Sequence, residues 1–141
     1  MKKTLSILFL SFVAAFNAMG QTSDADKLIG TYMTEGDKGK VVIEKKGSTY
    51  HGKLVWNVTQ GLLDKNNPVK SEQTKPLVGK TILTGFKYAG KEVWDGGKIY
   101  DPENGKTYSC KIKMKKNGDL TVRGFIGVSL LGRNTDWKRV K

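Results

Sequence analysis

One cysteine, one histidine and three prolines are all that 141 residues contain of those types. With Cys110 alone, no intramolecular disulfide can form, so a hydrophobic core must hold the fold. One histidine and one cysteine do not make a zinc site from the usual ligands. The prolines stand at 68, 76 and 102, which leaves long stretches free to pair as strands. Acids are scarce, 13 against 25 lysines and arginines, for a formal charge of +12. Helical periodicity of useful length is missing beyond the first twenty residues, as are internal repeats and low-complexity segments.

Those first twenty residues read as an export signal. Lys2 and Lys3 give a basic start, Leu5 to Phe16 an apolar run broken only by Ser6 and Ser11, and Ala18-Met19-Gly20 small residues at the cleavage site. The run is short of the roughly 20 residues that span a bilayer. We expect a signal peptide over 1–20, cut between Gly20 and Gln21, with no transmembrane segment in the mature chain. An exported location, periplasmic or at the outer envelope or secreted, follows. A polar lead-in over 21–27, expected to be mobile, precedes one domain over 28–141. Losing Lys2 and Lys3 takes the formal charge from +12 to +10. That excess is either a solvated lysine face or an attraction for anionic envelope lipid, polymer or a partner protein. Export argues against nucleic acid as the partner.

From Ile29 onward the apolar residues alternate. Strands are expected over 29–33, 40–45, 49–56, 81–87, 92–100, 106–115, 119–126 and 134–140. They are separated by turn signals at Lys46-Gly47-Ser48, Ala89-Gly90-Lys91, Asp101 to Gly105 and Asn117-Gly118. Residues 57–80 form a long excursion, a length that is usually functional or disordered. In 81–87 the pattern places Ile82, Thr84 and Phe86 on one face. With no helix to cover an apolar face, the strands are expected to close on themselves. The expected fold class is all-β: a single eight-stranded antiparallel up-and-down barrel.

Three segments carry a family resemblance. They are Gly97 to Pro102 with Asn104 to Tyr108; Arg123-Gly124-Phe125-Ile126-Gly127 with Leu131-Gly132-Arg133; and Trp137-Lys138-Arg139-Val140. Together they resemble the exported bacterial family catalogued as domain of unknown function 2147. That resemblance implies a lipocalin-like (calycin) barrel, an envelope or secreted location, and no established activity. Lipocalin-type barrels often begin Gly-x-Trp, with a basic residue of the last strand over the ring. Gly30-Thr31-Tyr32 and Arg139 are the corresponding candidates here.

Catalysis finds little support. Cys110 lies on the apolar register of its strand and His51 on the polar register of its own, so no dyad is expected. Gly-Val-Ser-Leu-Leu-Gly around Ser129 lacks the second glycine of a nucleophile elbow. Asp101 to Gly105 misses calcium-loop spacing and reads as a turn. A noncatalytic binding module without cofactor or metal is the expectation. Its ligand would be small and amphipathic or anionic. Tyr32, Tyr50, Trp56, Trp94, Tyr108 and Trp137, with Phe86, are expected to face inward; the first six are the candidate contacts to an apolar body. Arg123, Arg133 and Arg139 are the candidate charge contacts. Two readings of the rings stay open: a ligand pocket, or a small barrel filled by its own side chains. Gly52 and Gly124 either make room or relieve crowding. The loop 127–132 either plugs one end or meets membrane or ligand tails.

Overall fold

The computed structural model describes residues 23–141. The expected signal peptide and its Gly20/Gln21 cleavage site lie outside them. The described residues form a closed antiparallel barrel in sequence order, β1 (Gly30–Met33), β2 (Gly39–Lys46), β3 (Thr49–Asn57), β4 (Thr81–Gly90), β5 (Val93–Asp101), β6 (Lys106–Met114), β7 (Leu120–Phe125) and β8 (Gly132–Arg139). Closure runs through the pairs Tyr32↔Arg139 and Met33↔Lys138. Every strand edge is thereby paired, which removes the exposed edges an open meander would carry. No helix among the described residues is long and apolar enough to cross a membrane.

Alternation sets the register. Val41 and Ile43 of β2, Cys110, Ile112 and Met114 of β6, and Leu120 and Val122 of β7 are all buried. Their partners across the ladders, Leu54 opposite Val41 and Val122 opposite Ile112, point the same way. In β4 the expected face holds at Ile82 and Phe86 but fails at Thr84, which is exposed while Leu83 is buried. Gly85 takes φ +73°, a value glycine tolerates, and this inserts one residue between the inward side chains of Leu83 and Phe86.

From Ser23 onward the lead-in is not a loose tail. Asp24–Leu28 forms a 3-10 helix capped by Ser23, whose hydroxyl accepts from the Asp26 amide. The helix lies across one end of the barrel, with Leu28 fully buried. Trp94 Nε1 donates to Ala25 O at 3.0 Å, Tyr32 OH donates to Leu28 O at 2.9 Å, and Tyr50 OH donates to Asp26. Lys45 adds an ion pair to Asp26 at 3.2 Å.

Arg139 closes the same end. Its guanidinium stands 5.2 Å from the centroid of the Tyr32 ring and donates to the carbonyls of Lys27 and Ile29. The glycine–aromatic–basic pairing expected for a lipocalin-type barrel is therefore formed, with tyrosine as the aromatic. Arg139→Met keeps the stem and removes these bonds. We expect a loss of about 2 kcal/mol in urea unfolding. An unchanged unfolding midpoint would contradict this closing role.

The opposite end is framed by residues 34–38, 58–80, 102–105 and 126–131. The excursion 58–80 is ordered. Leu63 bridges Pro76, and Lys70–Glu72 makes one 3-10 turn. Asn66 Nδ2 donates to the carbonyls of Pro102 and Glu103, tying the excursion to the β5–β6 turn. The fit is tight at Gly105, where φ is +71° and a Cβ would lie 1.8 Å from Asn66 O. Asp101 caps this turn, as its turn chemistry led us to expect, accepting from the Glu103 and Gly105 amides.

Candidate functional site

The barrel interior divides into two halves. Toward the capped end it is solid, with Tyr32, Val41, Ile43, Phe86, Trp94, Ile112 and Leu120 at 0–1% exposure. Toward the other end it opens into a cavity of about 1040 Å³. Sites for small molecules span roughly 300–1,000 Å³, so this one is large enough for a single ligand.

Three inward glycines show why one half is full and the other is not. A Cβ on Gly97 would lie 2.5 Å from the Phe86 ring, so that ring already occupies the space. At Gly52 the space is taken by Leu83 and Val41, both 2.9 Å away. At Gly124 a Cβ would meet only Ile99 Cγ2 at 3.5 Å and Tyr108 Cβ at 3.7 Å, in ordinary contact. Gly124 lines the cavity; Gly52 and Gly97 do not. Side chains fill one half of the barrel, and a cavity occupies the other.

The wall is apolar in depth and polar at the lip. Leu54, Ile82, Ile99, Val122 and Trp137 form the deep part, and Leu62, Leu63 and Leu77 of the excursion add to one side. Lys38, Lys65 and Arg133 stand at the mouth together with Glu35, Asp101 and Glu103. Two of these bases are answered by acids, Lys38 by Glu103 and Arg133 by Glu35, each at 3.8 Å. The lip is thus mixed in sign, unlike the strongly basic chain as a whole.

Of the nine sequence-expected ligand contacts, Tyr108, Arg133 and Trp137 line the cavity. Tyr32, Tyr50 and Trp94 point inward as expected but belong to the solid half, held by the capping helix. Trp56 faces outward. A bulge at Val55 sets Trp56 opposite Lys40, whose ammonium lies 5.4 Å from the indole centroid on the outer wall. Arg139 seals the capped end. Arg123 is on the outward register of β7 and donates to Asn134 Oδ1 at 2.8 Å. The arginines therefore do not converge on one anion: one is at the lip, one on the wall and one at the far end.

The loop after β7 does not plug its end. Ile126, Val128, Leu130 and Leu131 are 69%, 59%, 86% and 75% exposed beside the mouth, and Leu131 lines it. The excursion was not recognised as cavity wall. Its signal was present in Leu62-Leu63 and Pro76-Leu77-Val78, apolar groups inside an otherwise polar stretch.

A polar cluster fixes that wall. Asp64 is 1% exposed and accepts from Asn67 Nδ2 at 2.7 Å, Tyr100 OH and Lys80 Nζ at 2.8 Å. Burial alone would raise its pKa. The bonds from Lys80, Tyr100 and Asn67 outweigh burial and hold it below the ordinary 3.8. Burial first, then Asp64, pushes the Tyr100 hydroxyl well above its usual range. Tyr100 reaches the excursion from the register opposite Gly97 and Ile99, and the Lys80 ammonium sits 5.0 Å from its ring. Among the described residues, no three acid, histidine or cysteine side chains gather as metal ligands would.

Residues 30–139 match the model of a family described as an uncharacterized protein conserved in bacteria, DUF2147. The chain belongs to this family. Among solved structures it is similar to protein HP1028 from the human pathogen Helicobacter pylori, described as belonging to the lipocalin family. The identity is 26%, the TM-score 0.76, and the match covers 81% of this chain and 83% of that one. No curated protein matches the sequence. The DUF2147 match spans all eight strands, from the glycine under Arg139 to Arg139 itself. The barrel is lipocalin-like in topology and in this closing contact.

Proposed function

We propose that this DUF2147 chain is an exported, noncatalytic binding module that takes one small amphipathic molecule into its barrel. The observation that carries the reading is the half-empty interior: about 1040 Å³, apolar in depth, open at one end and charged only at the lip. Such a shape suits an apolar body that enters first and a polar part that stays at the mouth. The mixed lip favours an amphipathic ligand over a strongly anionic one. Export to the periplasm or outer envelope is supported by Lys2, Lys3, the run Leu5 to Phe16 and Ala18-Met19-Gly20.

The noncatalytic character is supported by the two residues best suited to nucleophilic chemistry. The Cys110 thiol is buried among apolar neighbours, which pushes its pKa up to about 12, far from a reactive thiolate. His51 lies on the opposite register of its own strand, bonded to Thr49.

A second reading uses the outer wall. Lys98 of β5 and Lys111 and Lys113 of β6 stand on outward registers of adjacent strands, suited to an anionic envelope polymer or an acidic partner protein. Salt separates the two. We expect the neutral fluorophore N-phenyl-1-naphthylamine to bind with an affinity that changes less than about twofold between low and physiological salt, because apolar burial is not screened. Absence of any bound fluorophore, together with salt-sensitive retention on an anionic polymer, would favour the outer wall.

A further inference from the structure

The buried aromatic donors of this barrel are satisfied, with one exception. Trp94 Nε1 donates to Ala25 O, Tyr32 OH to Leu28 O, Tyr50 OH to Asp26 and Tyr100 OH to Asp64. Trp137 is 4% exposed, yet its indole N–H has no acceptor among the described residues. No sealed-in side-chain nitrogen or oxygen among those residues lacks a partner. The Trp137 nitrogen must therefore border open space, and the space its ring lines is the cavity. Trp137 pairs with Leu120 near the solid half, so this residue stands toward the floor.

Two other polar side chains along the cavity already have partners. Thr135 Oγ1 donates to Val122 O at 3.3 Å, and Tyr108 OH accepts from Asn104 Nδ2 at 2.8 Å nearer the mouth. An indole N–H only donates. A purely hydrocarbon leading end would strip it of solvent and give nothing back. An acceptor oxygen would recover that loss. The charge of the oxygen is decided by its surroundings. The bases along the cavity, Lys38, Lys65 and Arg133, are exposed at the lip, and none lies on the floor. A carboxylate buried there would face one neutral donor and no cation, at a cost far above the bond it gains.

We infer that the cavity selects an elongated apolar molecule whose leading end carries a neutral hydrogen-bond acceptor, a carbonyl, ester or ether oxygen, received by Trp137 Nε1. The inference rests on the binding reading above and names its ligand class. Trp137 acts as the specificity-determining residue, and any charge on the ligand remains at the mouth.

The test compares 2-decanone with 2-methyl-1-decene, in which a methylene replaces the carbonyl oxygen. Each competes with N-phenyl-1-naphthylamine on the wild type and on Trp137→Phe, which keeps an aromatic ring and removes the donor. Taking the ketone-to-alkene ratio of affinities cancels the different cost of removing the two compounds from water. That ratio is expected to fall about tenfold in the variant, the worth of one recovered hydrogen bond. In the wild type, the ketone should also move the Trp137 indole proton resonance downfield and leave that of Trp94 in place, a readout independent of how the variant folds. An unchanged ratio with both compounds still competing, or an indole resonance that ignores the ketone, overturns the inference and leaves the cavity as a binding site. Failure of the fluorophore and both compounds to bind the wild type overturns the binding reading and the inference together.

Discussion

Asp64→Ala should lower the stability of the barrel by about 3 kcal/mol, because it leaves Lys80 and Tyr100 without the carboxylate that satisfies them. Removing one member of a buried charge pair costs roughly 3–5 kcal/mol, and the 22% exposure of the Lys80 side chain puts this case at the low end. For a domain of this size the midpoint of thermal unfolding should drop on the order of 10 °C. Local damage should exceed the global loss. The excursion is fastened to β5 by Asp64 and to the β5–β6 turn by Asn66, so hydrogen exchange should accelerate most over 58–80.

The pH dependence has a definite sign. The Asp64 pKa in the folded protein is held below the ordinary 3.8, so its charge stabilises the fold at pH values above that figure. The contribution is lost as pH falls through the folded value. Asp26 and Glu72 are lowered as well, the first chiefly by Tyr50 and the second by Lys75, so the whole protein weakens in acid. The difference between wild type and Asp64→Asn isolates the Asp64 part. It should be large near neutrality and shrink below about pH 4. A difference constant across that range would mean that the carboxylate is not ionised in its cluster.

Gly124→Phe should abolish ligand binding while leaving the fold intact. Gly124 is on the inward register of β7, opposite Cys110 and Arg133, and a side chain there leads into the cavity. Its Cβ would make only ordinary contacts, so the backbone need not move. A phenylalanine suits a strand better than glycine and fills space that is empty of protein atoms. Affinity for N-phenyl-1-naphthylamine should fall at least about thirtyfold, and the unfolding midpoint should stay within a few degrees of wild type. The same substitution at Gly97 would strike the Phe86 ring and unfold the solid half, which makes Gly97→Phe the contrasting control.

How far the sequence revealed this molecule depended on distance along the chain. Alternation from Gly30 to Val140 is a local property, and it identified all eight strands and the inward burial of Cys110 and Met114. The resemblance in Gly97 to Pro102 and Trp137 to Val140 pointed to the same barrel, and the pairing of Tyr32 with Arg139 formed as anticipated. Several features were not legible. The Val55 bulge reversed the expected face of Trp56, because one inserted residue inverts everything beyond it. The capping role of Asp24–Leu28 depends on acceptors for Trp94, Tyr32 and Tyr50, which come from residues far apart in sequence. The empty half of the barrel arises from Phe86 lying against Gly97 while nothing comparable covers Gly124, a difference two inward glycines do not advertise. The arginines misled for the same reason. Closeness in sequence brought Arg123, Arg133 and Arg139 together on paper, and strand geometry sent them to the wall, the lip and the far end.

Native mass spectrometry of the wild type and Gly124→Phe, each purified from the protein's own host, tests the half-empty barrel most directly. A single small-molecule adduct on the wild type that is missing from Gly124→Phe is the expected result. The same adduct on both proteins would place the ligand elsewhere and contradict a binding site inside the barrel.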